Sequence, residues 1–152
     1  MGSAIADQGQ LPSLCRELVR TLAKGTVIGL QGVLGAGKTT FVKEFVAALG
    51  KKQSLARVTS PTFIFHQRYE TVPAVDHWDL YRMENATRVE VEQIGYFDVL
   101  NRAREEKGFV FVEWPEHAGF QTLELDMVIR IETHPQGRIY YWQRLAGLAP
   151  SK

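Results

Sequence analysis

The chain has 152 residues, of which 45% are hydrophobic and 23% charged, a balance that argues against a disordered or membrane-spanning protein. Its length predicts one domain over residues 1–152, with a flexible stretch over residues 1–10. The formal charge of +1 argues against tight binding of nucleic acid by charge alone, so any contact with RNA would run through a partner. No secretion signal is recognised, and we expect a cytoplasmic protein without a membrane contact.

The first part of the chain predicts two helices separated by a strand and a glycine-rich loop. Apolar side chains recur at helical spacing over residues 11–23 and again over residues 41–49, and Gly25 and Gly50 follow as stop signals. Residues 26–30 form a short apolar run that leads directly into the loop. A strand, a loop and a helix are therefore predicted in direct succession.

The middle of the chain predicts two strands and two short helices. Residues 63–69 alternate in the manner of a strand, and residues 72–78 are predicted as the next strand, with Pro73 at its start or at a sheet edge. Together they suggest an antiparallel hairpin. Thr87 and Glu90 have the spacing of a capping box that opens a helix, and a further helix is predicted over residues 96–106.

The last part of the chain predicts strands. The run FVFVE at residues 109–113 is typical of a strand that is buried on both faces. Residues 125–132 and 138–145 alternate on either side of THPQG and predict a closing hairpin. One α/β domain accounts for all of these elements.

Residues 32–39 match G-x-x-x-x-G-K-T, the pattern of a loop that holds nucleotide phosphates between a strand and a helix. Glycines let backbone N–H groups converge on phosphate oxygens, Lys38 reaches the outer phosphates, and Thr39 offers its hydroxyl to Mg²⁺. Thr40 either assists or is an ordinary residue of the first helical turn. The chain lacks an N-K-x-D motif, which favours adenine over guanine. The predicted nucleotide-binding residues of the loop are Gly32, Val33, Leu34, Gly35, Ala36, Gly37, Lys38, Thr39 and Thr40.

Two carboxylates are candidates for the acid that a hydrolysing phosphate loop needs nearby. Glu113 ends the predicted buried strand, where it could hold Mg²⁺ through water, polarise the attacking water, or be an ordinary strand-end carboxylate. Asp76 and Asp79 are three residues apart, so an extended strand would point them to opposite faces, and only one of them can serve the site. We favour Asp79.

Several other residues have more than one interpretation. Thr62 follows Ser60 and Pro61, and it is either a sensor hydroxyl near the phosphates or part of a plain Ser-Pro turn. Trp114 shields the site, contacts a partner or packs in the core. Arg82 pairs with phosphate or makes a surface salt bridge. The 4 histidines show no metal-ligand spacing, which argues against a zinc site.

Four segments, GVLGAGKTT, VTSPTF, HWDLYR and FVEW, occur in an order and spacing that resembles the TsaE family of small bacterial P-loop ATPases. The resemblance implies a P-loop NTPase-like three-layer sandwich with a mixed, mainly parallel sheet and antiparallel hairpins. It also implies ATP and Mg²⁺ as cofactors and slow hydrolysis. The expected partners are a TsaD-like threonylcarbamoyltransferase and a TsaB-like protein, in a complex that makes threonylcarbamoyladenosine in tRNA.

The resemblance implies a role for individual residues as well. Lys38 would bind phosphate, and Thr39 and Glu113 would hold Mg²⁺. Asp79 would be an acid important for hydrolysis, and Thr62 would be a switch residue near the γ-phosphate.

The chain departs from the usual family pattern at two positions. Val33 stands where the family usually has an acidic residue, and Leu11 falls near the place of a threonine that helps to frame the nucleotide base. Two other functions stay open at this point. One is a small-molecule P-loop kinase, which would need an acceptor pocket and an arginine-bearing lid. The other is a nucleotide-dependent binding switch with negligible hydrolysis, which Val33 would favour.

Overall fold

The structure is a computed structural model, and it describes residues 2–6, 9–50 and 65–145. The strands are β1 (Gly2–Ala6), β2 (Val27–Gln31), β3 (His66–Tyr69), β4 (Val75–Asp79), β5 (Phe109–Glu113), β6 (Met127–His134) and β7 (Gly137–Arg144). The helices are α1 (Leu11–Thr21), α2 (Lys38–Ala48), α3 (Arg88–Gln93) and α4 (Tyr96–Glu105), and a short 3-10 turn covers Pro115–His117. None of the helices in these ranges is long and apolar enough to cross a membrane.

The described strands form one 7-stranded sheet in the order β1-β7-β6-β2-β5-β4-β3. In its centre, β2 pairs in parallel with both β5 and β6, and β4 pairs in parallel with β5. The outer pairings, β1 with β7, β6 with β7 and β3 with β4, are antiparallel. The predicted mixed sheet with antiparallel hairpins is therefore confirmed, and its parallel part lies in the middle.

Helices cover both faces of this sheet. In β5, Phe109 and Phe111 face α1 and α2, where both rings pack against Phe45. Val110 and Val112 alternate to the other face and join the apolar cluster under α3 and α4. Full burial of a side chain of this size contributes about 1.5–3 kcal/mol, so the run FVFVE stabilises both layers. The predicted three-layer sandwich is confirmed.

Local chemistry sets the ends of the short helices. The Thr87 hydroxyl accepts a hydrogen bond from the Glu90 N–H at 3.2 Å, and the Glu90 carboxylate accepts one from the Thr87 N–H at 3.1 Å. The predicted capping box therefore opens α3. Gly95 has a φ of 84°, in the left-handed region, and it separates α3 from α4.

The N-terminus differs from its prediction. Residues 1–10 were expected to be flexible, whereas Gly2–Ala6 forms the edge strand β1 and pairs with β7. The stretch GSAIA is too short to show a strand period by itself, so its pairing depends on the edge that β7 offers. Leu11 begins α1 and is only 2% exposed, which makes it a core residue.

The carboxyl ends of the parallel strands lie at one edge of the sheet. Glu113 at the end of β5 is in register with Leu30 of β2 on one side and with Asp79 of β4 on the other. The glycine-rich loop leaves β2 at the same edge. The topology therefore places the loop beside the two predicted carboxylates, as expected for an open α/β sheet.

Candidate nucleotide site

The glycine-rich loop connects the end of β2 to the N-terminus of α2. Gly37 is the N-cap residue, and it makes no side-chain capping hydrogen bond. The N-cap residue thus offers no side-chain acceptor to the first N–H groups of α2, which is the arrangement that binds anions in phosphate loops. Gly37 has a φ of 106°, and a Cβ at this position would lie 2.9 Å from the guanidinium of Arg138. The backbone conformation therefore favours glycine at this position.

A cleft of about 360 Å³ opens at this helix end. Its lining residues are Leu34, Gly35, Gly37, Lys38, Thr39, Thr40, Asp79, Tyr81, Glu113 and Trp114.

Three of the predicted loop residues do not line this cleft. Ala36 is fully buried in the core, and Val33 is 71% exposed. Gly32 and Val33 contribute instead to a second cleft of about 520 Å³ on the other side of Trp114. The second cleft is larger, but the uncapped helix end and the Lys38 ammonium belong to the first, so chemistry and not volume selects the candidate site.

Lys38 lies inside the cleft and is only 5% exposed. Its Nζ donates hydrogen bonds to the carbonyl oxygens of Gly32 at 2.5 Å and Val33 at 3.1 Å, and it lies 4.2 Å from the centre of the Trp114 ring. Burial lowers the pKa of Lys38, although the negative charge of Glu113 and of nearby acids opposes this effect. A buried ammonium held by neutral partners is suited to bind an anion.

Thr39 and Glu113 contact each other across the cleft. The Thr39 hydroxyl lies 3.1 Å from Oε2 and 3.3 Å from Oε1 of Glu113. Hydroxyl and carboxylate oxygens suit Mg²⁺, which proteins usually bind through one or two carboxylates together with substrate phosphates. No group of three or more His, Cys, Asp or Glu side chains that could hold a metal occurs within the described ranges. The donor set therefore fits Mg²⁺ bound with a nucleotide and not a metal cage made by the protein alone.

Asp76 and Asp79 lie on opposite faces of β4, as their spacing predicts. Asp79 reaches the cleft, and its Oδ1 accepts a hydrogen bond from the Tyr81 N–H at 2.9 Å. Asp76 is 1% exposed and contacts His66 at 2.7 Å and two arginines at 3.4 Å. Asp76 thus belongs to an ion-pair network under α4, and Asp79 alone of the two is near the loop.

Of the other predicted residues, Trp114 lies at the cleft, Arg82 lies outside its lining, and Thr62 is outside the described residues. Trp114 has a φ of 60°, which is uncommon for a bulky residue, and its ring lies beside both Lys38 and Tyr81. The guanidinium of Arg82 lies 4.9 Å from the centre of the Phe65 ring and outside the cleft lining. Thr62 lies outside the described residues, so its role stays a prediction.

Two residues near the loop were not predicted. His77 is fully buried, and its Nε2 lies 2.5 Å from Oε2 of Glu113. The only signal for it in the sequence is its place two residues before Asp79, which puts both on the same face of β4. Arg138 at the start of β7 contacts Gly37, and no salt bridge joins it to an acid in the described part of the chain. Burial raises the pKa of the adjacent Tyr140, and the Arg138 charge opposes part of that rise.

The fold and the loop define a P-loop NTPase-type domain. The family model described as Threonylcarbamoyl adenosine biosynthesis protein TsaE matches residues 5–140, and the chain belongs to this TsaE family. The predicted resemblance is therefore confirmed.

Individual relatives agree with this membership. The chain is 37% identical over 128 residues to the tRNA threonylcarbamoyladenosine biosynthesis protein TsaE of Aquifex aeolicus, covering 84% of this chain and 86% of the relative. It is 40% identical over 100 residues to the TsaE protein of Bacillus subtilis, covering 64% of this chain and 56% of the relative. The crystal structure of Bacillus subtilis YdiB matches 93% of this chain and 81% of its own, with a TM-score of 0.61 and 22% identity, which shows a shared fold.

Proposed function

We propose that this protein is a Mg²⁺-dependent ATPase of low turnover that serves the threonylcarbamoyladenosine modification of tRNA in the cytoplasm. It would act on a complex of a TsaD-like threonylcarbamoyltransferase and a TsaB-like protein, and it would meet tRNA only through them. Membership of the TsaE family supports the pathway. The formal charge of +1 supports an indirect contact with tRNA.

One observation carries the proposal. Lys38, Thr39 and Glu113 converge in a single cleft at the uncapped N-terminus of α2. A cation, a hydroxyl and a carboxylate at a helix N-terminus are the groups that a phosphate loop uses to bind a nucleoside triphosphate with its metal.

Each side chain has a separate task in this proposal. Lys38 would bind the outer phosphates, and the loop N–H groups with Thr40 would hold the inner ones. Thr39 and Glu113 would hold Mg²⁺, which when bound supplies positive charge that stabilises negative charge on the phosphates. Asp79, at the same edge of the sheet, would orient the attacking water. The hydrolytic role of Asp79 is inferred from the family resemblance. The position of Asp79 in the cleft supports this role.

Phosphate release by the purified protein tests the proposal. The protein alone should release phosphate slowly from ATP in the presence of Mg²⁺, and a TsaD-like and a TsaB-like partner should change that rate. Tight ATP binding without release in any mixture would contradict an ATPase and favour a binding switch. Release that depends on a small hydroxyl compound would favour a kinase.

The pKa of Lys38 predicts that ATP binding takes up a proton in alkaline solution. Burial lowers this pKa from its ordinary value of 10.5, so the free protein loses the proton at a lower pH than an exposed lysine would. Bound phosphates favour the charged form and raise the pKa again. Once the pH exceeds the lowered pKa, binding must therefore restore the proton, and ATP affinity should fall as pH rises further.

Calorimetry of ATP binding in buffers of different ionisation enthalpy measures this proton uptake. Lys43→Ala, at an exposed position of the same helix, should leave the uptake unchanged. An affinity that stays constant through the alkaline range up to the ordinary lysine pKa would show that Lys38 does not titrate on binding.

The position of Arg138 predicts a contribution to nucleotide affinity. Its guanidinium lies against Gly37 at the start of α2 and has no acidic partner among the described residues, so a phosphate group is a suitable counter-charge. A charge-assisted hydrogen bond contributes about 1.5–3 kcal/mol, so Arg138→Ala should weaken ATP binding by about 10-fold to 100-fold.

Arg144→Ala is the matched control, because Arg144 lies on the same strand but is exposed at its far end. Fluorescence titration with a labelled ATP analogue compares the two variants. Equal affinities of the two variants for the ATP analogue would show that Arg138 does not contribute to nucleotide binding.

A further inference from the structure

A line of polar side chains runs from the cleft into the interior between the sheet and α2. The Thr39 hydroxyl lies 3.1 Å from Oε2 of Glu113, and Nε2 of His77 lies 2.5 Å from the same oxygen. On the far side of the imidazole, Nδ1 of His77 lies 3.4 Å from the hydroxyl of Tyr69. His77 therefore connects the carboxylate of the cleft to an interior tyrosine on β3.

His77 is buried beside both apolar and polar neighbours, and Gln67 of β3 is one of its partners in register. The side chain of His77 is 0% exposed and that of Glu113 is 4% exposed. Along β4, Val75 lies on the same face as His77, and Phe111 of β5 is its partner in register. Burying an imidazole is costly unless it is hydrogen-bonded. The hydrogen bond to Glu113 is thus the interaction that a histidine adds at this position.

Glu113 depends on this hydrogen bond when Thr39 changes partner. The Glu113 carboxylate contacts His77 from the neighbouring strand β4 and Thr39 from helix α2. In the proposed function, the Thr39 hydroxyl turns to Mg²⁺, and the Glu113 carboxylate must keep its direction without that contact. His77 lies on the neighbouring strand β4, and its hydrogen bond to Oε2 of Glu113 does not depend on the Thr39 contact.

We infer that His77 is a positioning residue for Mg²⁺, whose Nε2 hydrogen bond holds the Glu113 carboxylate toward Thr39. The inference rests on the proposed function and adds a residue to it. Groups that hydrogen-bond to metal ligands in this way typically change metal affinity by about 10-fold to 100-fold when they are replaced. His77 itself does not contact the metal in this role.

The shape of histidine allows a matched pair of variants. In His77→Gln, the amide nitrogen can occupy a position close to that of Nε2 and can still donate to Glu113. In His77→Asn, the shorter side chain places its amide near the position of Nδ1, on the side of Tyr69, and it does not reach Glu113. Both replacements are neutral and polar, so they differ mainly in the hydrogen bond under test.

Binding of Mn²⁺, as a probe for Mg²⁺, in the presence of ADP tests the inference without any turnover. Electron paramagnetic resonance measures free Mn²⁺ during a titration of the full-length protein, and binding of ADP in EDTA measures the nucleotide site by itself. We expect His77→Asn to weaken Mn²⁺ binding by about 10-fold to 100-fold, with unchanged ADP affinity in EDTA. His77→Gln should remain close to the unmodified protein.

Two results would overturn the inference. One is an unchanged Mn²⁺ affinity in His77→Asn, and the other is an equal loss in His77→Gln, which would indicate a packing role only. If the unmodified protein bound neither ADP nor Mn²⁺ with ADP, the proposed function itself would fail. Thermal unfolding checks both variants, and should His77→Asn not fold, His77→Leu replaces it, since leucine fills the space of the ring and offers no donor.

Discussion

Replacing Lys38 by alanine is expected to weaken ATP binding by about 100-fold or more, so that binding is lost at ordinary concentrations. Lys38 is the buried cation of the cleft, and it makes two hydrogen bonds from its ammonium group. If both are transferred to phosphate oxygens, their loss costs about 3–6 kcal/mol at about 1.5–3 kcal/mol for each charge-assisted bond. Equilibrium binding of ATP, measured by calorimetry, gives the loss directly.

Lys43→Ala is the control for this variant. Lys43 lies on the same helix, is exposed and does not line the cleft, so its loss should leave ATP affinity unchanged. ATP binding by Lys38→Ala at the affinity of the unmodified protein would show that the loop does not use this lysine, and the proposed site would have to be abandoned.

Glu113→Ala is expected to keep ATP binding and to lose Mg²⁺-dependent hydrolysis by about 100-fold or more, because charge stabilisation by a bound metal contributes several kcal/mol to such reactions. Glu113 is 3% exposed, its carboxylate contacts Thr39, and it lines the same cleft as Lys38. Steady-state phosphate release at increasing Mg²⁺ concentration measures the effect, and ATP binding in EDTA shows that the variant retains its nucleotide site.

Glu116→Ala provides the comparison for Glu113. Glu116 lies three residues later, is exposed, and is one of the acids whose charge acts on Lys38. Removing it should change turnover little. Full turnover in Glu113→Ala would exclude Glu113 as a metal ligand and leave it as an ordinary strand-end carboxylate.

Much of the fold follows from local patterns in the chain. The run FVFVE predicts a strand buried on both faces, and the observed alternation of Phe111 and Val112 between two apolar clusters confirms it. Spacing alone also separates Asp76 from Asp79, because a strand has a period of two residues. These features depend on neighbours in the sequence, which is why the sequence predicts them.

The contacts of His77 and Arg138 have no such local signal. His77 meets Glu113 because β4 and β5 pair in parallel in one register, although 36 positions separate the two residues. Arg138 reaches Gly37 only because the β6–β7 hairpin folds back beside β2. A register between distant strands is set by the assembled sheet, so neither contact can be predicted from residue types and spacing alone.

The central position of β2 in the sheet protects the start of the glycine-rich loop from local unfolding. β2 has hydrogen-bonded neighbours on both sides, whereas β1 and β3 are the two edge strands of the described sheet. Edges generally open first in native-state fluctuations, and central strands open only with the whole molecule. The amides of residues 28–30 should thus be among the slowest to exchange with solvent. The strand that precedes the glycine-rich loop should therefore stay folded while the edge strands open.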